Sequence, residues 1–337
     1  MKKLVGFITV ATICLGFVML GDLTIAQGKE VKLPKSIAYM ARTNTNDEGI
    51  MAIAVNAIWE KKLGIPCVFT GEKSSNNRVR KAASGKVDFS FSQYSYMWYG
   101  YEGKGAFKKP LDIRMVMAHP EVYGCFITVK RTNIKTPADF AGKRVAYSSK
   151  RAPALGEIGS SILEFYKVAD KVTDIPDLPK KSRVSGLAEN TVDVVFSWAR
   201  HLDEFRQTNP SAYIVPVSKE CAEYAGSKYP YYRYGQIPKN FRNIEFEETI
   251  GAVATKSGTI CRASFPADLL YTLLKIRYDN YEKLMNAHPG FADETLDKVV
   301  DSNTLVPYHE GAVRFFKEKG VWTEEAEQRQ QALLSVK

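Results

Sequence analysis

The chain has 337 residues, 45% of them hydrophobic and 25% charged, with a formal net charge of +10 at pH 7. That length suits two domains behind a leader. The positive excess is dispersed among acids, with Lys180, Lys181 and Arg183 as its densest cluster, so no basic stripe marks a nucleic-acid surface; attraction of small anions, or solubility alone, accounts for it.

Lys2 and Lys3 precede an apolar run over 4–20, and Thr24, Ile25 and Ala26 follow at the spacing of a cleavage site. Residues 1–26 therefore read as a secretory signal peptide. The run is shorter than the ~20 residues of a membrane span, and Cys14 lies inside it rather than at its end, which argues against a lipid anchor. The remainder is expected to be exported and soluble.

A short strand is predicted over 35–40. Its loop, with Arg42, Asn44 and Thr45, opens a helix over 48–62; such residues cap helices, and backbone donors beside a strand end suit an anion. A second strand over 65–70 leads to a helix that begins at 74–77 and carries Asn77 and Arg78. After a turn at 84–86, Val87, Phe89 and Phe91 alternate with Asp88, Ser90 and Ser92, and Gln93 stands where that strand runs out. The carboxyl ends of strands in an open α/β sheet face the ligand crevice, which makes Gln93, Tyr94 and Ser95 candidate contacts. At helical spacing Tyr94, Trp98 and Tyr101 share one side, so most rings of this aromatic stretch belong to a core, with Tyr94 the one expected at the ligand.

Strands over 111–118 and 122–129 are broken by His119, Pro120 and Glu121. Thr136 to Asp139 make a capping-box start with proline at the first helical position. A strand over 145–148 then gives way to a polar loop with Ser148, Ser149 and Arg151 before a helix reaching 166, the arrangement already met at Arg42. Beyond a proline-rich connector over 174–181, residues 192–197 repeat the V-D-x-x-F-S pattern of 87–92, with Trp198 at the position of Gln93. Two lobes of like topology sharing a cleft would produce this repeat; a chance likeness between two buried strands is the plainer alternative. Strands over 213–217 and 249–255 flank an aromatic extended segment with Tyr232, and a long helix over 267–287 and a shorter one over 311–319 close the chain. Strands alternate with helices, so the fold class is α/β.

Cys67, Cys125, Cys221 and Cys261 allow three pairings, and their apolar settings read as free thiols with one disulfide left open. The four histidines lack zinc spacing, and no nucleophile elbow or phosphate loop is present, so neither a catalytic centre nor a cofactor is expected.

The chain resembles the TAXI-type solute receptors of TRAP transporters. The likeness rests on Ser84-Gly85-Lys86-Val87-Asp88 through Gln93 and Gly103-Lys104-Gly105-Ala106-Phe107, on Asp139-Phe140-Ala141-Gly142-Lys143-Arg144-Val145, on Tyr229-Pro230-Tyr231-Tyr232, and on Pro307-Tyr308-His309-Glu310-Gly311 through Phe316. It implies a two-lobed periplasmic-binding-protein fold, each lobe a mixed sheet flanked by helices, with the ligand cleft at the hinge. On that reading 27–131 plus 252–337 form lobe one and 132–251 lobe two. The implied function is a periplasmic receptor that passes a small organic anion to TRAP permease subunits, without nucleic acid or metal. An ABC-linked binding protein and a secreted enzyme on the same fold are the alternatives. The departures fall at the ligand loops: glycine-rich loops usual in the family are replaced at 41–46 and 148–153, and Ser95 stands where an acidic residue is common. The expected contacts are Arg42, Asn44, Thr45, Asn77, Arg78, Gln93, Tyr94, Ser95, Ser148, Ser149, Arg151, Trp198 and Tyr232, with the ligand's acid on Arg42, Arg151 or both.

Overall fold

The computed structural model describes residues 23–24, 30–147, 153–242 and 244–335. The signal-peptide reading, and the candidates Ser148, Ser149 and Arg151, fall outside these residues. Among the described residues no helix is long and apolar enough to cross a membrane.

Two sheets carry the fold. The first orders its strands Cys67–Gly71, Ile37–Ala41, Phe89–Gln93, Ser257–Arg262 and Ile113–Ala118. Its first three strands are parallel, each crossover being a helix, Asp47–Leu63 or Ser75–Ala83; Ser257–Arg262 runs antiparallel to both neighbours. The second sheet orders Thr173–Asp174, Arg144–Ala146, Val194–Trp198 and Val122–Val129 in the corresponding way, with Val122–Val129 antiparallel. Ile250–Thr255 and Ala212–Val215 share the far edge of that long strand, and Arg233–Ile237 pairs outside Ile250–Thr255. The result is a two-lobed α/β architecture, each lobe a mixed sheet flanked by helices.

The repeat read in the sequence is structural. An offset of 105 residues takes Asp88 to Asp193, and the backbone N–H of each donates to the neighbouring parallel strand, to Ala38 O and Arg144 O. Each carboxylate answers by accepting a backbone N–H from that strand, Ala38 N at 2.9 Å and Arg144 N at 3.0 Å. The same offset takes Arg78 to Arg183, both buried, and their guanidiniums donate to the carbonyls of Phe91 and Phe196. A buried arginine bonded to carbonyls fixes the loop before a helix to the strand after it, so Gln93 and Trp198 end their strands at matching places.

The chain passes between the sheets twice, from Ala118 to Val122 and back from Thr255 to Ser257. Both Val122–Val129 and all of Ile250–Thr255 hydrogen-bond within the second sheet. The long closing helix is also interrupted: Ala267–Asp279 and Tyr281–Ala287 meet at Asn280, whose φ of −119° and side-chain bond to Ile276 O end the first segment. All four cysteines among the described residues are free, three of them buried.

Candidate functional site

A cleft of about 680 Å³ opens where the strand ends of the two sheets face each other. The first lobe contributes Arg42 and Thr45 from the loop after Ile37–Ala41, the helix start with Asp47 and Glu48, Lys73, Ser75 and Arg78 around the next helix, and Phe91, Gln93 and Tyr96 from the strand end. The second contributes Trp198, Arg200, His201 and Glu204 from its own strand end, and Arg242 from the turn between Asn240–Phe241 and Ile244–Glu245. Five cationic side chains therefore face three carboxylates. Below lies a floor pocket of about 60 Å³ bounded by Tyr39, Met51, Phe91, His119, Val122 and Arg277 among others.

Local sequence explains how these groups are held. The loop 42–46 lies against the first turn of Asp47–Leu63 at Gly49, where a Cβ would come within 1.7 Å of Thr43 O; only glycine permits that approach. Asn46 Oδ1 accepts from Thr43 N at 3.1 Å, closing the loop upon itself. The positive end of the helix is answered by its own Asp47 and Glu48, so it is not an open anion site of the kind the capping residues alone led us to expect. Asp47 also forms an ion pair across the cleft with Arg242, at 3.3 Å.

Arg78 is buried, and its fork donates to Phe91 O, Glu72 O and Ser75 Oγ at 2.9–3.0 Å. It borders the cleft while holding together the loops that form it. Arg42 is exposed at the rim. Arg200 is half-buried, and burial holds its guanidinium below the usual arginine value in spite of the Glu48 and Asp47 charges. At the floor, Glu294 is fully buried between His119 and Arg277, which keep its carboxyl below the ordinary range against the effect of burial. His119 Nε2 reaches Thr259 Oγ1 at 3.0 Å, and Thr259 bonds the Tyr39 hydroxyl. These buried groups are bonded to one another, with only the Arg277 Nε among them left without a partner.

Of the residues singled out in the sequence, the cleft collects Arg42, Thr45, Arg78, Gln93 and Trp198. Asn44 is exposed outside its lining, and Asn77 is exposed on the helix Ser75–Ala83 with its side chain accepting from Arg80. Ser95 is buried away from the cleft. Tyr94 is a correction: the strand end turns at once into the helix Tyr94–Glu102, whose first residue points into the core, and its hydroxyl donates to buried Asp301 at 2.9 Å. Tyr96, two positions on, faces the cleft instead. Tyr232 is likewise buried, with its hydroxyl on Glu157 at 2.8 Å. The missed residues Arg200 and Arg242 had different visibility. Arg200 lies 105 residues after Ser95 and the repeat pointed at it; Arg242 sits in a short hairpin without a sequence signature.

Known proteins bear on this geometry. XAC2383 from Xanthomonas citri, solved bound to chloride ion, superposes with a TM-score of 0.52 at 9% identity, covering 89% of this chain and 100% of its own. The same protein bound to ATP gives 0.51 at 9%, covering 88% and 99%. MatC from Rhodopseudomonas palustris with bound malate gives 0.48 at 11% identity, covering 89% and 100%. The periplasmic aliphatic sulphonate binding protein SsuA from Escherichia coli gives 0.47 at 12%, covering 88% and 92%. At these identities the likeness is one of fold. Sequence carries the assignment further: the NMT1-like family model matches residues 49–320, which hold the second sheet and all of the first but Ile37–Ala41, and the chain belongs to the NMT1-like family.

Proposed function

We propose that the protein is an extracytoplasmic solute-binding receptor of a TRAP-type transporter, which captures a small organic anion between its lobes and presents it to membrane permease subunits. One observation carries this reading: the strand ends of two like lobes converge on a cleft in which five cationic side chains outnumber three carboxylates. A positive, partly desolvated cleft concentrates small anions. The resemblance to TAXI-type receptors supports the transporter class, and the leader-like 1–26 supports export. Arg42, Thr45, Gln93 and Trp198 are the proposed contacts retained from the sequence reading, and the strand crossings at 119–121 and Lys256 are the proposed hinge. Ligand would then shift the protein toward a closed state that the permease reads.

Thermal melting against carboxylates, sulfonates, amino acids and neutral metabolites tests the reading. At a hundredfold excess over its dissociation constant a ligand stabilises the fold by about 2.7 kcal/mol, a rise of several degrees for a chain of this size. A broad screen that never moves the melting temperature would falsify the receptor assignment.

A further inference from the structure

The cleft contains a half-buried guanidinium whose hydrogen-bonding capacity the described residues leave unused. Arg200 lies in the turn Ala199–His201, directly after the strand Val194–Trp198. It borders the floor pocket, the outer cleft and the small space beside Tyr123 and Trp198, so these three volumes meet at it. Arg277 is paired with Glu294, Arg242 with Asp47, and Arg78 with backbone carbonyls. Among the described residues Arg200 has neither a hydrogen-bond acceptor nor an ion-pair partner within bonding distance. Arg42 and Arg242 repel it, Glu48 and Asp47 attract it from farther than an ion pair, and desolvation disfavours its charge. Arginine carries five N–H donors in a planar fork and cannot shed its proton in a protein. A desolvated fork without an acceptor, at the meeting point of two lobes, is an arrangement that an incoming oxyanion completes.

The floor beneath it constrains the rest of such a ligand. Met51, Phe91, Pro120 and Val122 give the pocket apolar walls, His119 and Arg277 are each paired with Glu294 although the Arg277 Nε has no partner, and about 60 Å³ accommodates only a few heavy atoms. Glu48 and Asp47 at its edge disfavour a second negative charge there.

We propose that Arg200 anchors the acid group of the ligand, and that the ligand is a carboxylic acid whose compact apolar body enters the floor pocket against Met51 and Phe91. The inference rests on the receptor reading and names the chemistry of its ligand.

The test compares melting curves of the purified protein, Arg200→Gln and Arg200→Lys, each alone and with propionate, isobutyrate, propane-2-sulfonate or the neutral isobutyramide. The expected result has two parts. Carboxylates raise the wild-type melting temperature and isobutyramide does not; and Arg200→Gln binds them at least about tenfold more weakly, with Arg200→Lys between. Equal carboxylate responses in the wild type and Arg200→Gln, or equal responses to isobutyrate and isobutyramide, overturn the anchor while leaving the receptor. A stronger response to the sulfonate than to every carboxylate overturns the acid class. A wild type unmoved by any probe counts against the receptor reading, and an Arg200→Gln variant that melts lower without ligand shows that Arg200 serves the fold instead.

Discussion

Tyr94 shows how one residue's role is decided by what its hydroxyl meets. The same side chain at the end of a strand serves a ligand if the chain stays extended, and a core if a helix begins there. Here Asp301, itself buried, accepts from Tyr94 at 2.9 Å and from Asn303 N at 3.2 Å, with Lys256 Nζ at 3.4 Å. Burial and the Asp301 charge push the phenol well above its usual value, so it stays a donor. Tyr94→Phe leaves the carboxylate with one donor fewer, and hydrogen bonds to charged groups contribute roughly 1.5–3 kcal/mol. Urea unfolding should show a loss of that size with an unchanged slope, and calorimetry with a ligand from the screen should show unchanged affinity. Weaker binding with full stability would return Tyr94 to the cleft.

Most elements were legible because their periodicity survives in one stretch of chain. The strand Val122–Val129, the capping box at Thr136 and Asp139, and the alternation through Phe89–Gln93 were readable from spacing alone. Among the elements not foreseen are the helices Lys219–Lys228 and Glu324–Ser335, and the strand Ser257–Arg262. That strand begins Ser-Gly-Thr, a turn-like composition, yet it is central in its sheet. Gly258 is required because Met115 Sδ and Met117 O would lie 2.7 Å from a Cβ, a constraint set by a partner strand some 140 residues away in sequence. The site was half legible for the same reason. Trp198 and Gln93 follow from the repeat, whereas Arg242 reaches the cleft only through tertiary placement.

The repeat also locates a test at the level of the element. Asp193 ties the strand Arg144–Ala146 to its neighbour Val194–Trp198, accepting from Arg144 N and from the Arg144 guanidinium at 2.9–3.0 Å, with Arg131 at 3.3 Å. Hydrogen bonds from Arg144 hold its carboxyl well below the ordinary aspartate range. A depressed folded-state pKa stabilises the protein above the unfolded value near ~3.9, and that contribution fades as pH falls toward the folded one. Asp193→Asn should therefore melt lower than the wild type at pH 7, with the gap closing between about pH 4 and pH 2. A gap independent of pH over that interval would mean that the aspartate acts by packing rather than by charge.

At the scale of the whole molecule the question is what holds the lobes together when the cleft is empty. Two bridges lie near the strand crossings or the cleft mouth: Arg233 between Glu121 and Asp301, and Arg242 with Asp47. A third is built on Glu157 in the second lobe. Tyr99, from the first-lobe helix Tyr94–Glu102, donates to its carboxylate at 3.2 Å, Tyr232 donates at 2.8 Å, and the Tyr231 hydroxyl lies 3.0 Å from the carboxylate and 2.9 Å from that of Tyr99. The rings of Trp98 and Tyr99 pack on Tyr231, with centroids 5.7 and 5.8 Å apart. The contact joins the lobes through one carboxylate, so Glu157→Ala removes its acceptor while leaving the rings. A loss of roughly 1.5–3 kcal/mol from the bridged arrangement lowers its population about ten- to a hundredfold if the open form is otherwise comparable, and weakens apparent ligand affinity by the same factor. Small-angle scattering should then give Glu157→Ala a larger radius of gyration than the wild type without ligand, and saturating ligand should return the two to one value. Equal radii without ligand, together with equal affinities, would mean that the tyrosine cluster only packs and that closure is governed at the hinge.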